Sequence, residues 1–294
     1  YAYTSAFLLA VSPWHIMLSR AAFEANIVTF LLVLGVWLFL KGVLEKGYFL
    51  MLAAVPFALS FYTFNTARIV TPLLVLLLGL SFIKPLITKK RKETIVAIII
   101  GLIMLAPVLP FLFSEQASLR FKEVNIFSDL SVITRSNDQV ARDDHALFSR
   151  LLHHRYALFG AEFLKHYLDH FNPDFLFIKG DHNPKFSTQD VGVLYLFEIP
   201  FFIAGIILLF RKREGYWWIV PLWLLIGIIP AATARETPHA LRIESTLPMF
   251  QLFSAYGIVW FLLYVKQQKK RLYPLTMVFL GGVMLLNIFY FLHG

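Results

Sequence analysis

Nine apolar runs divide this sequence, and they leave the chain few ways to fold. They cover residues 2–18, 27–40, 49–64, 69–83, 95–113, 191–210, 216–233, 247–265 and 273–292. A perpendicular crossing of the hydrocarbon core takes about 20 residues of helix, and a lone crossing segment must satisfy its own backbone hydrogen bonds. Several runs are shorter than that. Pro56, Pro107 and Pro221 lie within runs, where neighbouring helices can satisfy the carbonyls they free. Hydrophobic residues make up 58% and charged residues 15%, against nearly half and a quarter in a soluble domain. The expected fold class is an all-α polytopic membrane protein, a bundle of about nine transmembrane helices.

The connections between runs alternate in charge. Four are basic: Lys41 with Lys46; Lys84 with Lys89, Lys90, Arg91 and Lys92; Arg211, Lys212 and Arg213; Lys266 with Lys269, Lys270 and Arg271. Under the positive-inside rule these face the cytoplasm. The segments 13–26, 65–68, 114–190 and 234–245 then lie outside, and nine helices alternate without conflict. The implied organisation is 1–113 as N-terminal membrane helices, 114–190 as an extracytoplasmic segment, and 191–294 as C-terminal membrane helices. The net charge of +9 is therefore read as topology, and nucleic acid is not an expected partner. The location expected is a cell membrane, multi-pass, with any site facing outward. With no cysteine, disulfides and thiolate metal sites are excluded.

The outer segments hold the residues capable of chemistry. Arg20 and Glu24 are four apart and would share a face on a helix. They form either a local ion pair, worth a few tenths of a kcal/mol, or an acid facing an outer cavity with an arginine beside it. Charged residues beside apolar spans are functional candidates by default. His15 is either a packing residue or a ligand, and Asn26 reads as a cap or an interhelical hydrogen bond. Arg68 either snorkels to headgroups or holds a phosphate, for which a guanidinium fork is suited. Tyr62 and Asn65 stand near it. Arg235, Glu236, His239, Arg242 and Glu244 make the densest polar cluster beside a run outside the long segment. His239 and Arg242 share a face if that stretch is helical, and form a second basic wall or a plain polar loop.

Segment 114–190 is too polar to span and too long for a mere connection. Leu147, Leu151, Leu152, Tyr156, Phe159 and Phe163 recur at helical spacing, which predicts an amphipathic surface helix. Residues 166–187, HYLDHFNPDFLFIKGDHNPKFS, read as an ordered loop. Asp143, Asp144, His145, His153 and His154 match no zinc spacing. There is no phosphate-binding glycine loop, no GxSxG and no heptad seam.

The stretch SPWHIMLSRAAFEAN at 12–26 resembles the bacterial and archaeal relatives of dolichyl-phosphate-mannose–protein mannosyltransferases and the aminoarabinose–lipid A transferases. The likeness continues at FYTFNTARIVTPLL, through 166–206 and at PHALRIESTLPMFQLFSAYGI. It implies a GT-C-like bundle and a glycosyltransferase. A polyprenyl-phosphate-linked sugar would be the donor, and a protein, lipid or glycan the acceptor. An acid would act as base at an inverting centre, and electrostatics would stabilise the leaving phosphate. Glu24 and Arg20 match the acid and arginine of the family's SRxxxxD/E pattern, as supporting groups. Arg68 and Arg242 match basic positions for the lipid phosphate, with His239 and His15 beside them. A divalent cation stays open as cofactor. The family's main acidic motif follows an earlier helix, which here would precede Tyr1, so this chain by itself is expected to be inactive. The alternatives are a lipid-linked oligosaccharide ligase or polymerase, a transporter or flippase, and a noncatalytic scaffold. A transporter would place polar residues near the midplane in paired repeats, and no repeat is evident.

Overall fold

A computed structural model of the chain describes residues 1–112, 114, 115, 119, 123–142 and 154–293. The predicted helical face at Leu147, Leu151 and Leu152 lies outside the described residues, as do Asp143, Asp144, His145 and His153. Every regular element described is helical. The longer ones are α1 (Ala2–Val11), α2 (Pro13–Arg20), α3 (Glu24–Leu44), α4 (Tyr48–Thr63), α5 (Ala67–Ser81), α6 (Ile83–Thr88), α7 (Arg91–Leu105), α8 (Leu130–Arg142), α9 (Arg155–Asp169), α10 (Ile199–Lys212), α11 (Ile219–Ala232), α12 (Leu247–Gln268) and α13 (Tyr273–His293).

Four stretches are long and apolar enough to cross a membrane: Glu24–Leu44, Arg91–Phe111, Glu244–Gln268 and Lys270–His293. The protein is thus an all-helical chain with four candidate spans among the described residues, where the sequence predicts about nine. The other apolar helices run 10 to 16 residues. Proline explains two of the shortfalls. The predicted run 2–18 breaks at Ser12, whose ψ of 134° is the extended conformation a following proline imposes, and Pro13 then opens α2. The predicted run 191–210 becomes helical only at a 3-10 turn, Leu196–Glu198, and α-helical at Ile199, with Pro200 in its first turn. Upstream, Val193 and Leu194 donate their amides to the carbonyls of Phe175 and Leu176, so this stretch is buried, irregular chain.

The spans differ in how they are covered. In the most apolar windows of the Arg91–Phe111 and Lys270–His293 stretches only 6% of residues are buried, against 61% for Glu244–Gln268. The first two are therefore peripheral rods with apolar outer surfaces, and α12 is central. α10 and α12 cross at two glycines. A Cβ on Gly205 would lie 1.9 Å from the Phe253 carbonyl oxygen, and one on Gly257 would lie 2.0 Å from that of Phe201. Small residues at such a crossing let two backbones approach. Gly257→Ala forces the pair apart and is expected to cost about 1–3 kcal/mol, the range for overpacking. A lowered thermal midpoint in detergent checks this.

The predicted ordered loop at 166–187 is described, with a π-turn at Asp174–Ile178 that buries Phe175, Leu176 and Phe177. The long segment also holds α8, which sequence periodicity did not indicate. Arg135 of α8 lies 3.6 Å from Glu162 of α9.

Candidate functional site

One end of the bundle gathers segments far apart in sequence around the backbone of a single residue, Ala240. The Ala240 carbonyl accepts from Trp14 Nε1 at 3.2 Å, and the Ala240 amide donates to Asp181 Oδ2 at 2.6 Å. Trp14 is 1% exposed and Asp181 3%. Three segments, α2, the loop after α9 and the loop before α12, thus share one buried clamp. Asp181 is built for it by local sequence. Its Oδ1 accepts the Asn183 amide at 2.8 Å, and Asn183 in turn accepts the Lys185 amide at 3.0 Å. These are consecutive Asx turns written by D-x-N-P-K.

Histidines complete the node. His166 Nδ1 donates to the Ala234 carbonyl and His170 Nδ1 to the His166 carbonyl, both at 2.8 Å. His170 Nε2 accepts the His239 amide at 3.2 Å. With one nitrogen donating and the other accepting, His170 is neutral. Burial agrees, pushing its pKa down to about 4. His239 packs on Phe186 with ring centroids 4.9 Å apart, and Phe186 on Phe23 at 5.5 Å. Its Nδ1 stands 3.8 Å from Asp181 Oδ2, too far for a hydrogen bond. Burial, then the Arg242 charge, push its pKa down to about 3. The His239–Asp181 approach is therefore a contact with a neutral imidazole and no ion pair. Burial raises the Asp181 pKa, and its amide bonds lower it. Arg242 is part-buried, and its Nη1 has no hydrogen-bond partner among the described residues. Burial lowers its pKa, while Glu236 and Asp181 act to keep it charged.

Beside this node runs an apolar groove of about 590 Å³. Its wall on α3 extends from Asn26 through Thr29, Val33 and Trp37 to Leu40, which is about 21 Å of helix. Trp223 of α11 and Met249 of α12 line the opposite side. His15 and Asn26 are its polar lining at one end, and His15 follows Trp14, the residue clamped to Ala240. Burial lowers the His15 pKa, and Asn26 acts against this.

The predicted site residues divide accordingly. His239 and Arg242 lie in the node, on a turn and not on a helix. His15 lines the adjoining groove. Arg20 and Glu24 do not share a helix: Arg20 ends α2, Ala22 takes a left-handed φ of 54°, and Glu24 opens α3. The spacing argument for a common face fails there. Both side chains are exposed at the α2–α3 turn, next to Phe23. Arg68 is elsewhere, donating to the Phe61 carbonyl at 3.4 Å and lying over the Phe111 ring. Tyr62 donates to the Met104 carbonyl, tying α4 to the rod that begins with α7. No group of three or more carboxylates and histidines gathers as a metal-ligand set among the described residues.

Asp181 and His170 were not singled out from sequence. The signal available was the pair of Asx turns, which marks Asp181 as an acceptor. A second set of polar groups lies deeper. Glu244 and Gln251 are fully buried, and neither side chain has a hydrogen-bond partner among the described residues. An orphaned buried polar group costs about 1–3 kcal/mol. Glu244→Leu is therefore expected to raise the thermal midpoint, and a fall would show that Glu244 has a partner.

Comparison with protein-family models, with curated proteins and with solved structures finds no match for this chain. Its functional reading therefore rests on its own residues.

Proposed function

We infer that this chain is part of a GT-C-like membrane glycosyltransferase that takes a sugar from a polyprenyl-phosphate donor on the extracytoplasmic face. About nine helices would span, with the shorter ones tilted or meeting thinned bilayer. The observation that carries this reading is an apolar groove beside a node that holds the part-buried guanidinium of Arg242. The groove suits an isoprenoid chain. Arg242, one guanidinium nitrogen of which has no hydrogen-bond partner among the described residues, would hold a phosphate that reaches the node past His15. His239 and His15 would bound that phosphate, and Glu24 with Arg20 at the α2–α3 turn would face the acceptor. In the transition state Arg242 would stabilise charge growing on the leaving phosphate. The acceptor would be a protein, a lipid or a glycan.

Binding tests this without requiring turnover. A polyprenyl phosphate, added to the protein in neutral detergent, should change the fluorescence of Trp37 and Trp223, which line the groove. Arg242→Ala should weaken binding by about 10- to 100-fold, the equivalent of one charge-assisted hydrogen bond. Val33→Phe, which narrows the groove, should also weaken it. Unchanged affinity in both variants would remove the reading. Arg68→Ala, remote from the node in its described contacts, decides whether a second arginine takes part. Glu24→Gln should leave binding intact and slow sugar transfer by the full-length protein; normal transfer would take Glu24 out of the site.

A further inference from the structure

The end of the bundle opposite the node carries the densest positive charge among the described residues. We propose that it is a recognition surface for anionic phospholipid headgroups. The four basic connections are separated by as many as 230 residues, from Lys41 to Arg271, yet the fold brings them together. Lys90 Nζ donates to the Glu45 carbonyl at 3.0 Å, joining the first to the second. The Phe82 ring, just before Lys84, packs against Tyr216 at 5.1 Å and Trp218 at 6.0 Å, joining the second to the third. α10 and α12 run side by side past Gly205 and Gly257, and the Glu214 carboxylate accepts from the Tyr256 hydroxyl at 3.4 Å. The third and fourth therefore lie at the same end.

These connections hold 14 of the chain's 27 lysines and arginines, against three carboxylates, Glu45, Glu93 and Glu214. Nearly all the cations are exposed. Such an excess repels itself unless an anionic layer compensates it. What surrounds it identifies that layer. Ile83 and Ile87 of α6 are 45% and 57% exposed and flank Lys84, and Tyr48, Tyr216 and Leu272 are exposed beside the other clusters. Apolar and aromatic side chains interleaved with lysines at helix ends match the headgroup zone, where rings anchor and ammonium groups meet lipid phosphates. A soluble polyanion would have no use for the isoleucines. Each basic residue near an anionic leaflet adds attraction that salt screens.

The test uses the full chain in neutral detergent, titrated calorimetrically with dioctanoyl-phosphatidylglycerol or dioctanoyl-phosphatidylcholine. The expected result is saturable binding of the glycerol lipid, weakened by salt, with the choline lipid far weaker. Replacing Lys84, Lys89, Arg91 and Lys92 by Gln should raise the half-saturating concentration about tenfold or more. Lys90 is spared because it holds the Glu45 carbonyl. Replacing Arg142, Arg155, Lys165 and Lys185 by Gln removes equal charge elsewhere and should change nothing. Equal binding of the two lipids, an unaffected first variant, an equal loss in the second, or preference for single-stranded nucleic acid over phosphatidylglycerol would each overturn the proposal. None of these outcomes depends on the enzyme reading.

Discussion

Asp181→Ala is expected to destabilise the protein by about 3–6 kcal/mol, the loss of two buried amide bonds to a charged acceptor, and to loosen the node with it. The carboxylate accepts two backbone amides, Asn183 through one oxygen and Ala240 through the other. Each such bond to a charged group contributes about 1.5–3 kcal/mol. Alanine leaves both donors without an acceptor in a place water reaches poorly. The loop before α12 then keeps its Trp14 tie at the Ala240 carbonyl, the bond of the His239 amide to His170 and that of the Thr237 hydroxyl to Asp169. His239 and Arg242 sit on that loop, so polyprenyl-phosphate binding should fall along with the thermal midpoint. Asp181→Asn, with one acceptor oxygen, should fall between the two. A change in stability below about 0.5 kcal/mol for Asp181→Ala, the size of an ordinary surface substitution, would show that the clamp contributes nothing.

Acid should unfold the node well before carboxylates protonate. His170 and His239 are held neutral in the fold, with pKa values pushed to about 4 and about 3 from an ordinary 6.5. The unfolded chain binds more protons than the folded chain between these limits. Stability is then full above about pH 6.5 and is lost as pH falls toward 4, with a slope of up to about 2.7 kcal/mol per pH unit for two protons. Asp181 acts in the opposite sense. Its pKa is raised above 3.8, so the folded state gains a proton there first and recovers some stability at the acid end. His170→Gln removes one titrating group and should cut the slope by about half. Chemical denaturation between pH 4 and pH 7 measures this. A flat profile, or an unchanged slope in His170→Gln, would mean these imidazoles are not buried neutral.

The helical architecture was legible because its signals are local. Apolar runs located the helix cores at α3, α4, α5, α11, α12 and α13 within a few residues. The break in the first run and the late start of α10 trace to Pro13 and Pro200, whose effects on their neighbours are also local. The pair Arg20 and Glu24 misled for a different reason. Their spacing implied one helix face, but the chain turns at Ala22, and nothing in alanine's side chain announces a left-handed residue. Asp181 carried a readable turn signal. Its partnership with Ala240, 59 residues on, did not.

By itself the sequence determined an all-helical chain with membrane-length apolar stretches and basic connections, since periodicity and hydropathy act over one or two turns of helix. Only the tertiary structure decided which polar residues share a site. Trp14 meets a carbonyl 226 residues away, Arg242 stands by Asp181, and Arg68 lies apart on α5. Those pairings follow from how the helices pack, where Gly205 and Gly257 let two backbones close and irregular chain at 191–195 takes the place of helix. Contacts of that kind depend on three-dimensional fit between distant segments, which no local spacing encodes.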